Sequence, residues 1–265
     1  MSQSPDPVLL DVSPEGVAVV TLNRPEKRNA FDELMIGGLS ETFETLKGAD
    51  HVRVVFLRGA GECFCAGADI DWMQRAAAFS ELDNETDALT LARMLQHLHQ
   101  LPQLTVALVH GAAMGGGAGL VAACDIGVAL KDTKFRFSEV RLGLTPATIS
   151  PFVIEAIGAR WAKALFASGD GFDGAFAERI GLVQYAVENA EELRKTMERL
   201  SDLAMAAAPG AVRDAKALVG FVAGHRIDDG LAKETARRIA KRRVSGEGKE
   251  GLAAFLGKRK PEWNA

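Results

Sequence analysis

The sequence is poor in three things, and each shortage removes a class of explanation. Cysteine is scarce: of 265 residues only Cys63, Cys65 and Cys124 carry thiols, and "CFC" is neither a C-x-x-C redox pair nor half of a zinc site. They read as reduced thiols in a cytoplasmic protein. Basic excess is lacking, since 31 Lys and Arg stand against 35 Asp and Glu for a formal net charge of −4, which argues against general nucleic-acid binding. Long apolar runs are lacking too. None reaches the ~18 residues of a membrane span, and the start "MSQSPDPVLLDV" has no basic region followed by an apolar one, so neither an exporting signal nor a membrane anchor is expected. No low-complexity stretch, solenoid-like repeat or cluster of metal-ligand side chains stands out. Nucleic acid, membrane and metal are therefore not expected partners.

What is present is an ordinary core-forming composition, 48% hydrophobic and 25% charged, enough for one substantial core. Residues 16–23, 52–59, 104–111 and 124–130 are Val-, Ile- and Leu-rich runs bounded by Gly, Asn or Asp, as buried strands are. Between them, residues 31–48 place Phe31, Leu34, Met35, Leu39, Phe43 and Leu46 near helical spacing, and residues 81–101 repeat that pattern up to Pro102. Alternating strands and helices predict an α/β fold. From about Glu191 the strand signal stops. Helices are expected near 191–207, 209–220, 229–243 and 248–257, so the chain divides into a core over 1–190 and a helical C-terminal section over 191–265.

Two loops carry the chemistry. "RGAGECFCAGADIDWM" follows the second strand and "HGAAMGGGAGLVAACDI" the third; each is glycine-rich and leads into an apolar segment. Bare backbone admits an oxygen to its N–H groups, and a helix beginning at the second loop adds the positive end of its dipole. Facing one another, the loops would form an oxyanion hole, an arrangement in which removing one donor costs about 3–4 kcal/mol of transition-state stabilisation. The bland alternative for Gly115, Gly116 and Gly117 is a strand-to-helix turn. G-x-G-x-x-G spacing and a P-loop lysine, which would mark a nucleotide phosphate, are both missing.

Five blocks, "TLNRPEKRNAF" (21–31), "GAGECFCAGADIDWM" (59–73), "GAAMGGGAGLVAACDIGVA" (111–129), "FSEVRLGLTPA" (137–147) and "AFLGKRKPEW" (254–263), resemble in the same order the signature blocks of the enoyl-CoA hydratase/isomerase, or crotonase, superfamily. The resemblance spans nearly the whole chain. It implies a spiral of ββα units with a C-terminal helical section used for trimerisation, as a homotrimer or a dimer of trimers, and an acyl-CoA substrate whose coenzyme A makes a separate cofactor unnecessary. By the same resemblance Ala68 and Gly116 supply the two N–H groups that hold the thioester oxygen. Family hydratases pair two glutamates; the later falls on Glu139, while the earlier position is Gly119. One carboxylate is thus missing, which leaves hydration with Glu139 as base, double-bond isomerisation by Glu139 alone, or a non-catalytic acyl-CoA-binding protein all open. "LTPATISPFVIEAIGAR" (144–160), taken with Gly119, looks like the bacterial branch that hydrates 3-methylglutaconyl-CoA or isohexenylglutaconyl-CoA, in leucine or acyclic terpene breakdown. On that reading Gly119 leaves room beside the β-carbon for a branch, and Arg141 and Arg75 are candidates to meet the substrate's own carboxylate.

The resemblance also implies contacts to the coenzyme A and acyl portions. Arg24, Lys27, Arg28, Lys258, Arg259 and Lys260 are candidates for its phosphates or adenine, although such residues usually only solvate a surface. Ala30, Ala66, Asp69, Ile70 and Trp72 complete the expected substrate-binding set around the first loop. Trp72, Met73 and Phe79 line either the acyl pocket or the core. Asp69 reads as a helix cap and Asp125 as a structural acid. His97 and His99, at i and i+2, point to different helix faces, His110 reads as a hydrogen-bonded structural histidine, and "RRIAKRR" (237–243) as the wet face of a helix.

Overall fold

The computed structural model describes residues 6–264. Its first half runs β1 (Val8–Val12), β2 (Val17–Leu22), α1 (Glu33–Lys47), β3 (Val54–Gly59), α2 (Ile70–Ala76) and α3 (Glu81–His99), followed by β4 (Leu104–Val109), β5 (Ala112–Met114) and α4 (Gly116–Ala123). There follow β6 (Ile126–Leu130), β7 (Lys134–Arg136), α5 (Ser150–Ser168), β8 (Gly171–Asp173), α6 (Gly174–Ile180) and β9 (Tyr185–Val187). Four helices close the chain: α7 (Ala190–Ala206), α8 (Pro209–Val222), α9 (Asp229–Arg243) and α10 (Gly246–Leu256). The class is α/β, as expected, and no helix of the described residues is long and apolar enough to cross a membrane.

The main sheet has the order β1-β2-β3-β4-β6-β9 and is parallel except for the β1–β2 hairpin. Both faces are covered, which is why its strands read as continuous apolar runs. Val55 and Leu57 of β3 join the large core under α1, α3, α4 and α5. Val54 and Phe56, one step out of phase, pack with Val106, Leu108 and Val128 against Leu200 and Ala204 of α7. A second sheet, β5-β7-β8, stands beside it, with β5 and β7 parallel.

The four predicted strands became β2, β3, β4 and β6, and the four predicted C-terminal helices became α7 to α10. Strand ends differ where His110, Gly111, Cys124 and Asp125 leave the ladder. β1, β5, β7, β8 and β9 were not foreseen, being three to five residues long with too few alternations to show a period. The first helix begins later than its apolar spacing suggested: Asp32 caps α1 by accepting from the Met35 amide at 2.9 Å. Phe31 therefore lies outside the helix, Leu34 is 71% exposed, and Ile36 takes the buried place.

Candidate active site

Parallel strands deliver their following loops to one edge, and the two glycine-rich loops meet there. Cys65 and Ala113 form an isolated parallel bridge, with Cys65 N–H donating to Ala112 O and Met114 N–H to Cys65 O, each at 3.0 Å. A Cβ on Gly117 would stand 2.7 Å from the Cys65 Cβ, so the loops touch at van der Waals range. Burial pushes the Cys65 thiol up to about 12, which makes it an inert packing group.

A second pair of parallel strands sets the Glu139 carboxylate. Met114 of β5 lies opposite Arg136 of β7, and Gly115 N–H donates to Arg136 O at 2.9 Å. The chain leaving β5 becomes Gly115 and Gly116. The chain leaving β7 becomes the 3-10 turn Glu139–Leu142, anchored from below by Phe135 and Phe137 in an aromatic cluster with Phe166 and Phe172. Gly115 adopts φ +48°, ψ −116°, a backbone that L side chains rarely enter, and a Cβ there would stand 3.1 Å from Glu139 Oε1. The carboxylate thus lies directly over the loop that opens α4.

Two amides at this edge are left free. The first loop is held by a bridge between Phe31 and Ala68: Phe31 N–H donates to Gly67 O at 2.7 Å, and Asp69 N–H to Phe31 O at 2.8 Å. That pattern turns the Ala68 N–H away from Phe31, and among the described residues it meets no acceptor. Gly116 N–H, at the first position of α4, likewise meets none. Glu139 Oε2 is buried and has no hydrogen-bond partner, and burial raises its carboxyl above the ordinary value. Two unpaired donors and one partly desolvated acid/base group therefore share one site. That set can polarise a carbonyl and move a proton beside it.

A family model described as enoyl-CoA hydratase/isomerase matches residues 13–265. The chain belongs to this family. It is 43% identical to a crotonase-family chain of Legionella pneumophila of solved structure, covering 98% of this chain and 100% of that one with a TM-score of 0.93. Pseudomonas aeruginosa AtuE is 37% identical over 98% and 100% of the two chains, also at TM-score 0.93. The enoyl-CoA isomerase/hydratase fer4 of Mycosarcoma maydis is 32% identical across 93% of this chain and 92% of its own. The crotonase fold expected from the sequence blocks is the fold observed.

Within this crotonase, several sequence-predicted residues do other work. Arg24, one of the candidates for the coenzyme A phosphates, is already engaged: it pairs with Asp32 at 2.9 Å and Asp69 at 3.3 Å and donates to Ala30 O at 2.9 Å, tying both loop-to-helix junctions together. Asp69 is the α2 cap, as expected, accepting from the Asp71 and Trp72 amides. Burial pushes its carboxyl up, but those two amides with Lys27 and Arg24 hold it below its ordinary value. Lys27 pairs with Asp71 in the open, whereas Arg28 and Lys258 are exposed without a carboxylate partner among the described residues. Arg259 is held by Glu250, and Arg75 by Glu33, leaving neither guanidinium free.

Ala66 donates to Arg28 O at 2.9 Å, Ala30 and Trp72 are buried, and Ile70 is exposed beside Ala68. Asp125 is structural, accepting from Thr105 and from Lys216 at 2.6 Å, and His110 contacts Gly61 O at 3.0 Å. His97 and His99 face different carboxylates, Glu44 and Glu155.

The vacancy expected at Gly119 is filled. A Cβ there would stand 2.4 Å from Ile149 Cγ2 and 3.8 Å from Leu95 Cδ1, so a glutamate at 119 would have to displace Ile149. The loss of one carboxylate and the presence of Ile149 are one packing solution. No spacing in the sequence joins positions 30 residues apart through a loop, and Ile149 was missed for that reason. Asn29 was missed too: fully buried, it accepts from Arg24 N–H and donates to Ala60 O and Cys63 O, bracing the first loop.

Gly119→Ala should destabilise the fold by about 1–3 kcal/mol in urea unfolding through overpacking. Adding Ile149→Ala should recover part of that loss although Ile149→Ala alone is destabilising, a non-additivity that independent sites would not show. For Glu139, a folded-state pKa raised by burial contributes stability below the unfolded value, about 4.3, that is lost as pH rises through the folded one. Glu139→Gln should therefore raise the melting temperature at pH 7 to 8, with the gain vanishing below about pH 4.

Proposed function

We propose that this crotonase hydrates a branched 2-enoyl-CoA thioester of the 3-methylglutaconyl or isohexenylglutaconyl type. The observation that carries the reading is the single, partly desolvated Glu139 carboxylate over Gly115, next to the free Ala68 and Gly116 amides. With the thioester oxygen on those amides, electron density drawn from C3 leaves it open to water. Glu139 takes one proton from the water as its oxygen bonds to C3, and the enolate charge settles on the held oxygen. The same carboxylic acid then returns the proton to C2 on the same face, and the carboxylate is regenerated. One group completes a syn addition with every atom accounted for.

The branch rests on the likeness of residues 144–160, taken with Gly119, to hydratases of branched glutaconyl thioesters. Ile149 and Leu95, both buried, put apolar core where a second glutamate would stand, so that position carries no charge. Arg28, Lys258 and Lys260, exposed and without a carboxylate partner among the described residues, are the remaining candidates for the coenzyme A phosphates. Cys63, Cys65 and Cys124, free thiols in the fold, fit a cytoplasmic setting. Isomerisation is favoured by the same lone carboxylate, which can carry a proton between C2 and C4 without water.

Incubation in 18O-water with crotonyl-CoA, 3-methylglutaconyl-CoA, isohexenylglutaconyl-CoA and a 3-enoyl-CoA separates the readings. The account expects labelled product from a branched glutaconyl thioester, and a fall of about 10²–10⁴ in kcat with little change in KM for Glu139→Gln. Double-bond migration without label would make the chain an isomerase.

Self-association as a trimer or dimer of trimers is proposed for α8 to α10, where Val219, Ile239, Val244, Leu252, Phe255 and Leu256 stand exposed. Light scattering should give three or six chain masses, and a monomer would refute this part.

A further inference from the structure

Phe31 touches both halves of the oxyanion hole. Its backbone brackets Ala68, accepting from Asp69 N–H at 2.8 Å and donating to Gly67 O at 2.7 Å. Its ring reaches the other half: a Cβ on Gly116 would lie 2.8 Å from Phe31 Cε2 and 2.9 Å from Cδ2, so the ring edge rests on the Gly116 α-carbon. Both faces of this contact are rigid. Phe31 is 1% exposed, and its neighbours are anchored by Arg24 on Asp32 and by the fully buried Asn29. Met114, which leads into Gly116, is tied to Cys65 on the first loop, so the ring closes a second connection between loops already joined once.

We propose that Phe31 is a positioning residue that sets the separation of the Ala68 and Gly116 amides, and hence the fit of the hole to a thioester oxygen. The proposal rests on the reading that these two amides hold that oxygen. Packed interiors transmit small volume changes, and an ångström of misplacement at a catalytic donor costs up to about a hundredfold in rate. An aliphatic side chain keeps residue 31 buried and its backbone bridge intact, but withdraws the flat edge from Gly116. The amides would then relax relative to one another while Glu139, held by β7 and its aromatic cluster, stays in place.

The test is Phe31→Leu, measured beside wild type and Gly116→Ala, with kcat, KM, the pH profile and the infrared carbonyl stretch of a bound unreactive acyl-CoA thioester. Wild type should lower that stretch relative to free thioester. Phe31→Leu should lower kcat by roughly tenfold to a hundredfold with KM within about threefold. It should also leave the acid limb of the pH profile in place and move the stretch back toward its free value. Gly116→Ala, whose methyl meets the ring, should be impaired alone and partly rescued by Phe31→Leu in the same chain. An unshifted stretch in wild type would sink the oxyanion reading itself. A shifted wild-type stretch that Phe31→Leu leaves unchanged, or additive effects of the two substitutions, would sink the role of Phe31 alone.

Discussion

The structure turns on two backbone N–H groups that folding leaves without acceptors. Unpaired donors are unfavourable where water is excluded, and a chain keeps them only when the surroundings leave no alternative. Here Ala68 lies in a one-residue parallel bridge that uses the amides on either side of it, and Gly116 lies at a helix start where no preceding carbonyl is in reach. The Cys65–Ala113 bridge then brings the two together. The main sheet, the small sheet and the Arg24 ion pairs all serve that juxtaposition.

Charge is treated in the same way. Glu139 is partly desolvated with one oxygen unpartnered, an arrangement that costs folding free energy and keeps the carboxyl able to take and return a proton. Among the described residues no second carboxylate is paired with it, and Ile149 fills the space above Gly119. On the proposed reading, the proton chemistry at this edge falls on Glu139 alone.

Much of this was legible in the linear chain, for reasons of scale. Buried parallel strands are continuous apolar runs and amphipathic helices have a period, so β2, β3, β4, β6, α1, α3 and α7 to α10 could be read directly, whereas α5, as long as α3, was not. The glycine loops could be read because bare backbone after a strand is a local signal, and Glu139 because the ordered blocks place it. Strands of three residues carry no period, and β5 and β7, which bring Glu139 to Gly115, passed unnoticed. Phe31 was counted as the first face of a helix when it is the joint between two loops. Arg24 was one candidate among several for an anion contact, and two carboxylates, 8 and 45 positions away, already hold it. Gly119 was read as empty space when a side chain from another loop fills it. Each of these errors concerns a partner distant in sequence, which local pattern does not encode.

The measurement that bears most directly on this account is a crystal structure with an unreactive acyl-CoA thioester bound. The account predicts the thioester oxygen within about 2.7–3.1 Å of both the Ala68 and Gly116 nitrogens, with the Glu139 carboxylate facing C2 and C3. A thioester oxygen held by any other pair of donors, or a Glu139 carboxylate turned away from the acyl chain, would contradict it.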